Sequence, residues 1–309
     1  MDISERINKE NDLIRNMKYG YQVRLIPSYP EIRDLTLKVE RLGFESAHVN
    51  DHLLDNYLES MMLTSALAAE TSKIKLGHLV LCNSLRNPAY LAKMMCTLDN
   101  ISNGRALFWL GAGWHEAEYK GFGYSFPSAK QRVDELEESL IIYKKLFTER
   151  KSDFEGKFWK LEKNRNFPKS VQKPYPQLVL GTSGKRMMDI ACREADGINF
   201  NDVKPEQLPD YINKVKSNLK KYNRDISEFE ISYCSTITLL DNPEELDKLM
   251  VKYNVYGSQY IGFPDDVKEE MDNLEELGID KMILWDINKP VRAELIKDPI
   301  ETFANKVMK

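Results

Sequence analysis

Polar and unusual residues follow four apolar runs of the sequence, at Asn50–His52, Cys82–Asn87, Gly111–Glu116 and Gly181–Lys185. An imidazole titrates near neutral pH, so it can give or take a proton under physiological conditions. We therefore expect His52 to act as a proton donor or as a hydrogen-bond partner of a bound cofactor ring. The structural alternative is a loop histidine capped by the neighbouring Asp51.

The third stretch contains a second set of chemically active side chains. His115 and Glu116 are adjacent in sequence and are candidates for an acid–base pair. Trp114 could stack on a planar ring or simply close the mouth of a pocket. We take His52, Trp114 and Glu116 as the candidate catalytic residues.

The fourth stretch, Gly181-Thr182-Ser183-Gly184, precedes a predicted helix that begins with Lys185 and Arg186. The backbone amides of such a turn, together with the helix dipole, can bind an anion, and either basic side chain could add a charge. The pattern is equally compatible with an ordinary tight turn.

The remaining patterns exclude several classes of protein. The sequence has no HExxH or facial-triad spacing and no GxSxG elbow, so neither a metal site nor a common serine hydrolase is expected. A net charge of −4 and a pI of about 5.8 argue against nucleic-acid binding. No apolar run reaches the ~18 residues of a membrane helix. The four cysteines form no CxxC pair, which is typical of a reduced cytoplasmic protein.

Alternating strands and helices must position these residues. The predicted strands are Tyr19–Leu25, Ser46–Val49, Lys75–Leu81, Ala106–Gly111, Leu178–Gly181, Gly197–Phe200, Glu228–Leu239 and Lys281–Trp285. The predicted helices are Glu31–Leu42, Met61–Thr71, Pro88–Ser102, Lys130–Phe147, Lys185–Glu194, Glu206–Tyr222, Pro243–Val251, Asp265–Leu277 and Arg292–Lys309, with a non-helical excursion at Asp153–Leu161.

Eight such strands predict an α/β fold, a (β/α)8 TIM barrel with insertions in the strand-end loops, and place the four polar stretches at one rim. We expect one domain over residues 18–309, after a polar extension of residues 1–17. The length of 309 residues alone would also allow two domains. An open doubly wound sheet is the rival fold, but the first strand lacks the glycine-rich turn that it requires.

These motifs, in this order, resemble the bacterial-luciferase-like family, which includes monooxygenases and coenzyme F420-dependent oxidoreductases. The resemblance covers roughly residues 18–286 and is most specific over residues 87–128, NPAYLAKMMCTLDNISNGRALFWLGAGWHEAEYKGFGYSFPS. Other matching segments are GFESAHVNDHLL, LGHLVLCNSLRN, PKSVQKPYPQLVLGTSG, ADGINF and GFPDDVKEEMDNLEELGIDKMIL.

The resemblance implies a TIM barrel that binds coenzyme F420 or FMN, acts on a small-molecule substrate and forms a homodimer. It also implies a non-proline cis peptide bond at or next to Leu79–Val80. The residues expected to bind the cofactor are Asp51, His52, Leu79, Val80, Asn83, Gly113, Gly181, Thr182, Ser183, Gly184 and Lys185. We expect the cofactor phosphate on the turn Gly181–Gly184.

The sequence departs from the family's sugar-phosphate dehydrogenases at two positions. Trp114 stands where those enzymes have a glutamate, and Asn56 stands where they have a tryptophan. A sugar-phosphate substrate is therefore disfavoured. The GAGWHE segment, the FPS loop and PKSVQKPYP favour an F420-dependent enzyme. The alternatives are an FMN-dependent monooxygenase working with a separate flavin reductase, and a non-catalytic flavin-binding relative.

Overall fold

The computed structural model describes residues 17–23, 28–53, 57–201, 203–240, 260–285 and 298–309. Within them the strands are β1 (Lys18–Gln22), β2 (Ser46–Val49), β3 (Lys75–His78), β4 (Leu81–Cys82), β5 (Phe108–Gly111), β6 (Ser152–Glu155), β7 (Lys160–Asn164), β8 (Leu178–Gly181), β9 (Gly197–Phe200), β10 (Glu230–Leu239), β11 (Tyr260–Gly262) and β12 (Lys281–Trp285). The helices are α1 (Tyr29–Arg41), α2 (Ser60–Glu70), α3 (Pro88–Ile101), α4 (Glu116–Gly121), α5 (Ala129–Thr148), α6 (Lys185–Glu194), α7 (Leu208–Lys221), α8 (Pro264–Leu277) and α9 (Pro299–Lys306).

The central sheet is parallel and curls into a barrel. Its strand order is β3-β2-β1-β12-β10-β9-β8-β5-β4. The ring closes between its two ends, because Leu76 on β3 forms a parallel bridge with Ala106, just before β5. Since β3 and β4 are two parts of one barrel strand, eight strands form the ring, and the predicted TIM barrel is confirmed. No helix in the described part of the chain is long and apolar enough to cross a membrane.

The structure differs from the predicted elements in several places. The third predicted strand is interrupted by a cis peptide bond between Leu79 and Val80, at the position that the resemblance implies. The excursion after α5 is an antiparallel hairpin of β6 and β7. The short helix α4 and the strand β11 lie where no element was predicted. The predicted helix Pro243–Val251 and residues 1–16 lie outside the described residues.

Apolar side chains fill the inside of the barrel and the layer between the barrel and its helices. The inner cluster is formed by Leu107, Trp109, Val179, Cys234 and Ile283. Successive side chains of a strand point to opposite faces, so the alternate residues of these buried strands pack against the surrounding helices. A packed interior closes the barrel from below, and only the rim at the strands' carboxyl ends is left to form a site.

A buried ion-pair cluster lies at the amino-terminal end of the strands. The Nζ atom of Lys281 is 2.9 Å from a carboxylate oxygen of Glu230 and 3.3 Å from one of Glu45. The side chain of Lys281 is 1% exposed. A buried ammonium requires such partners, because an unpaired charge in the interior is costly. This cluster is therefore part of the scaffold, at the end of the barrel opposite the polar rim.

The two histidines within strands are also part of the scaffold. His48 and His78 are fully buried. Burial lowers the pKa of His48 to about 3 and that of His78 to about 4. Both rings are therefore neutral at physiological pH, as expected for histidines that pack inside a core.

Candidate functional site

A cavity of about 610 Å³ opens at the carboxyl ends of the strands. This volume lies within the range of small-molecule and cofactor sites. Many of the residues predicted from the sequence line it, namely Asp51, His52, Leu79, Val80, Gly113, Trp114 and the turn Gly181–Gly184. The barrel thus brings all four polar stretches to one site.

Asp51 connects three elements beneath the cavity. Its carboxylate accepts hydrogen bonds from Arg86 at 2.6 and 2.8 Å, from the Ser60 hydroxyl at 2.6 Å and from the Cys82 amide at 2.8 Å. Burial would raise the pKa of Asp51, but the Arg86 guanidinium outweighs it and lowers that pKa. A carboxylate with so many partners has little capacity left for a ligand, so Asp51 fixes the loop that carries His52.

The main polar contact at the cavity joins His52 to Glu118. The Nδ1 atom of His52 is 2.7 Å from Oε1 of Glu118, and Nδ1 of His115 is 3.3 Å from the same oxygen. The Glu118 side chain is only 3% exposed. The ring of Trp114 stands edge-on to His52, with centroids 5.9 Å apart. The result is a shielded carboxylate between two imidazoles, a group suited to holding and moving protons.

Tyr119 holds the helix that carries Glu118. Its hydroxyl lies 2.9 Å from Sγ of Cys82 and also contacts the Ser84 hydroxyl. Burial raises the pKa of Tyr119, so the phenol stays protonated and can donate. Gly113 allows this approach, because it adopts φ +83° and an added Cβ would lie 2.0 Å from the Tyr119 oxygen. Helix α4 is thereby fastened to the end of β4.

Three residues predicted for the site lie elsewhere. Glu116 points away from the cavity: its side chain is 54% exposed and pairs with Lys120 at 2.7 Å. Asn83 is buried, accepts a hydrogen bond from the Tyr143 hydroxyl at 2.7 Å and donates one to Ser139. Lys185 is exposed at the start of α6 and does not line the cavity. The hydrogen-bond partner of His52 is therefore Glu118, and Glu116 contacts neither histidine.

Sequence reasoning missed Glu118 although a usable signal was present. In a helix, residues three apart lie on the same face, so His115 and Glu118 meet once the chain is helical there. Glu116 follows His115 directly, and in α4 it turns outward to Lys120.

The turn Gly181–Gly184 has features of an anion site. Gly184 precedes α6 and provides no side-chain cap, and the Thr182 hydroxyl accepts a hydrogen bond from its amide at 3.0 Å. The first amides of a helix have no partners within it, so those of α6 can serve a ligand. Arg186 is already paired with Asp134 at 2.6 Å and with Glu137 at 2.9 Å.

The floor of the cavity has an apolar and a polar part. Val80 fits closely against two glycines, because an added Cβ would lie 2.7 Å from Val80 at Gly111 and 2.8 Å from it at Gly181. Asn199 is fully buried and donates to the Ser232 hydroxyl at 3.0 Å. Its Oδ1 atom has no hydrogen-bond partner among the residues that the structure describes. A buried acceptor of this kind can be satisfied by a donor on a ligand.

The fold and the cavity together are those of a TIM barrel with a histidine–glutamate pair at the rim of its strands. The chain belongs to the luciferase-like monooxygenase family, whose model matches residues 12–283. Its relatives include both enzymes that use a flavin and enzymes that use coenzyme F420.

Three sequence relatives illustrate this division. The FMNH2-dependent dimethylsulfone monooxygenase of Pseudomonas putida is 27% identical over 190 residues, which is 60% of this chain and 52% of the relative. The F420-dependent glucose-6-phosphate dehydrogenase of Kineococcus radiotolerans is 29% identical over 189 residues, 59% of this chain and 55% of the relative. The chain thus spans about half the length of both. The 5,10-methylenetetrahydromethanopterin reductase of Methanopyrus kandleri is 30% identical over 278 residues, 84% of this chain and 75% of the relative.

Solved structures agree on the fold. An F420-dependent secondary alcohol dehydrogenase with a bound F420-acetone adduct gives a TM-score of 0.80 at 19% identity, covering 94% of this chain and 98% of that chain. A long-chain alkane monooxygenase gives a TM-score of 0.81 at 15% identity, covering 96% and 91%. At such identities the likeness establishes the barrel and leaves the choice of cofactor open.

Proposed function

We propose that the protein transfers a hydride between coenzyme F420 and an organic substrate that is still to be identified. The observation that carries this proposal is the His52–Glu118 pair at the cavity. Oxidation of an alcohol or reduction of a carbonyl or imine moves one proton together with each hydride, and this pair is built to handle that proton. A reductase, the 5,10-methylenetetrahydromethanopterin reductase that matches 84% of this chain, is among the relatives and supports a hydride-transfer reaction.

The residues of the cavity fit a cofactor of this type. The amides of the turn Gly181–Gly184 and the hydroxyl groups of Thr182 and Ser183 would hold its phosphate, as helix N-termini do in other proteins. Val80 would support the flat ring, since it forms a raised apolar surface between two glycines. The unpaired Oδ1 of Asn199 would accept a hydrogen bond from a ring N–H.

The reaction then divides between the cofactor and the protein. When bound, a deazaflavin ring supplies a hydride donor or acceptor that reacts poorly with oxygen. His52 would take the proton from a substrate heteroatom in one direction and return it in the other. Glu118 stabilises the imidazolium that forms, because an ionised carboxylate favours the charged state of a neighbouring base. Trp114 forms one wall of the cavity.

An FMN-dependent monooxygenase working with a separate flavin reductase is the second candidate. A specific observation favours it: relatives include the dimethylsulfone monooxygenase and a pyrimidine monooxygenase of Agrobacterium fabrum that is 34% identical over 199 residues. The phosphate turn and the apolar ring support would serve FMN equally well.

Titration of the cofactor-free protein with each cofactor separates the two candidates. F420 binding should perturb absorption near ~420 nm and FMN binding should perturb it near ~450 nm. The proposal expects submicromolar affinity for F420 and at least about tenfold weaker affinity for FMN. Tighter binding of FMN would replace it with the monooxygenase, and binding of neither would favour a non-catalytic relative.

A further inference from the structure

The imidazole of His52 is held on one edge by a carboxylate that solvent hardly reaches. The contact joins Nδ1 of His52 to Oε1 of Glu118 at 2.7 Å and links residues 66 positions apart in the chain. Tyr119, the next residue of α4, is 1% exposed and anchors the helix, so the carboxylate cannot easily move away. This contact is thus a fixed feature of the site.

An ionised carboxylate can only accept hydrogen bonds, and a neutral imidazole carries its single proton on one of two nitrogens. The proton of His52 must then reside on Nδ1, where it is donated to Glu118. The opposite nitrogen, Nε2, is left with a lone pair and has no hydrogen-bond partner among the residues that the structure describes. Neutral histidine in water prefers the reverse arrangement, so Glu118 selects the less common tautomer.

We propose that Glu118 is the positioning residue of the reaction, fixing His52 with Nδ1 as donor so that Nε2 faces the substrate as the proton acceptor. This role rests on the proposed function. In the oxidative direction Nε2 would take the hydroxyl proton of an alcohol substrate, whose carbinol carbon would give up a hydride that the bound cofactor accepts, and a carbonyl would remain. In the reductive direction both transfers run backwards, and the imidazolium returns the proton to the carbonyl oxygen.

The surroundings of His52 hold the ring in the orientation that this role needs. The rings of Trp114 and Tyr57 lie next to it, with centroids 5.9 and 6.3 Å from that of His52. Asp51, the preceding residue, is fixed by Arg86. The ring therefore has support in addition to the Glu118 contact, and removal of the carboxylate should alter its protonation more than its place in the fold.

The tautomer of His52 can be measured in the protein without cofactor or substrate. The chain has only four histidines, so protein labelled with 15N at histidine gives few signals in a long-range 1H–15N correlation spectrum. The His52→Asn variant assigns the His52 signals by their disappearance. Glu118→Gln removes the charge with almost no change of shape, and Glu118→Ala removes the contact entirely. Glu116→Gln is the matched control, since that carboxylate lies two residues away and pairs with Lys120 instead.

At a pH where His52 is neutral, the wild-type protein and Glu116→Gln should both show mainly the Nδ1–H form. Glu118→Ala should show mainly the Nε2–H form, and Glu118→Gln a mixture, because an amide can donate as well as accept. Mainly Nε2–H in the wild type, or a tautomer that neither Glu118 variant changes, would overturn the assignment. The F420 titration is a separate arm: its failure would refute the proposed reaction while the tautomer still decides whether Glu118 positions His52.

Discussion

Replacement of Lys281 by methionine tests how the base of the barrel is stabilised. Methionine fills a similar volume but leaves Glu230 without the ammonium that both of its carboxylate oxygens contact, at 2.9 and 3.1 Å. Glu45 loses one of two lysines and keeps Lys75 at 2.6 Å. Removal of one partner from a buried ion pair typically costs ~3–5 kcal/mol. We therefore expect the free energy of unfolding to fall by about that amount.

The control is Lys75→Met. Lys75 pairs with the same Glu45, but its own side chain is 42% exposed. Exposed ion pairs contribute about 0–1 kcal/mol, so this variant should unfold at nearly the same urea concentration as the wild type. The comparison holds the residue type and one carboxylate constant and changes mainly the burial of the charge.

The cluster also predicts a dependence of stability on pH. Burial would raise the pKa of Glu45, but the charges of Lys281 and Lys75 outweigh it and lower the pKa from 4.5 to about 2. A carboxyl with a lowered pKa stabilises the fold above its unfolded-state pKa and loses that effect as the pH falls towards its folded-state pKa. The wild type should thus lose stability between about pH 4.5 and pH 2, and Lys281→Met should lose less over this interval.

Urea-induced unfolding followed by tryptophan fluorescence at pH 7, 4.5 and 3 measures all three proteins. The reasoning is refuted if Lys281→Met unfolds within about 1 kcal/mol of Lys75→Met at pH 7, because buried and exposed lysines would then contribute alike. A Lys281→Met, Glu230→Leu double variant adds a further check: with the stranded carboxylate removed, most of the lost stability should return.

Three further predictions concern the rim. Gly184→Val should weaken cofactor binding by roughly tenfold or more, and Gly184→Ala should weaken it less. Both variants should melt close to the wild type, because a Cβ at this position meets only Thr182, at 3.6 Å. If isothermal titration gives the same affinity as for the wild type, the cofactor phosphate does not bind at this turn. His52→Ala should lower turnover by about 10²-fold with an almost unchanged melting temperature. Until a substrate is known, the variant should change the affinity or the spectrum of the bound cofactor. If the variant is less stable than the wild type but neither turnover nor cofactor binding changes, the role of His52 is structural. Gly113→Ala should lower the free energy of unfolding by more than the ~1–2 kcal/mol that a left-handed backbone alone costs, because the added Cβ would lie 2.0 Å from the Tyr119 oxygen. A smaller loss measured by calorimetry would contradict the proposed anchoring of α4.

The sequence predicted the barrel well where local patterns determine an element. The bounds of β8, α6, β9 and β12 agree with those predicted from the sequence, since each strand is a largely apolar run flanked by glycine or polar residues. In contrast, the hairpin of β6 and β7 gave no clear signal: β7, KLEKN, is polar on both faces and mostly exposed.

The site was predictable as a place and less so as a set of contacts. Residues that follow barrel strands must meet at one rim, so His52, Trp114 and the turn Gly181–Gly184 were placed together. Which carboxylate meets His52 depends on the direction of side chains in a six-residue helix, α4. A helix so short has little intrinsic stability, and α4 is held by the contacts of Tyr119 with Cys82 and Ser84, which arise only in the folded barrel.

The close fit of Val80 against Gly111 and Gly181 makes the depth of the cavity depend on the residues at three positions. A methyl group added at either glycine would meet Val80 at less than 3 Å, so the valine would have to shift. A substitution of Gly111 or Gly181 by alanine would therefore raise the floor, whereas a simultaneous Val80→Ala or Val80→Gly change would restore room. Related barrels that bind a bulkier or a flatter molecule are therefore expected to differ at these positions together. The same three positions allow the depth of the pocket to be engineered without changing His52.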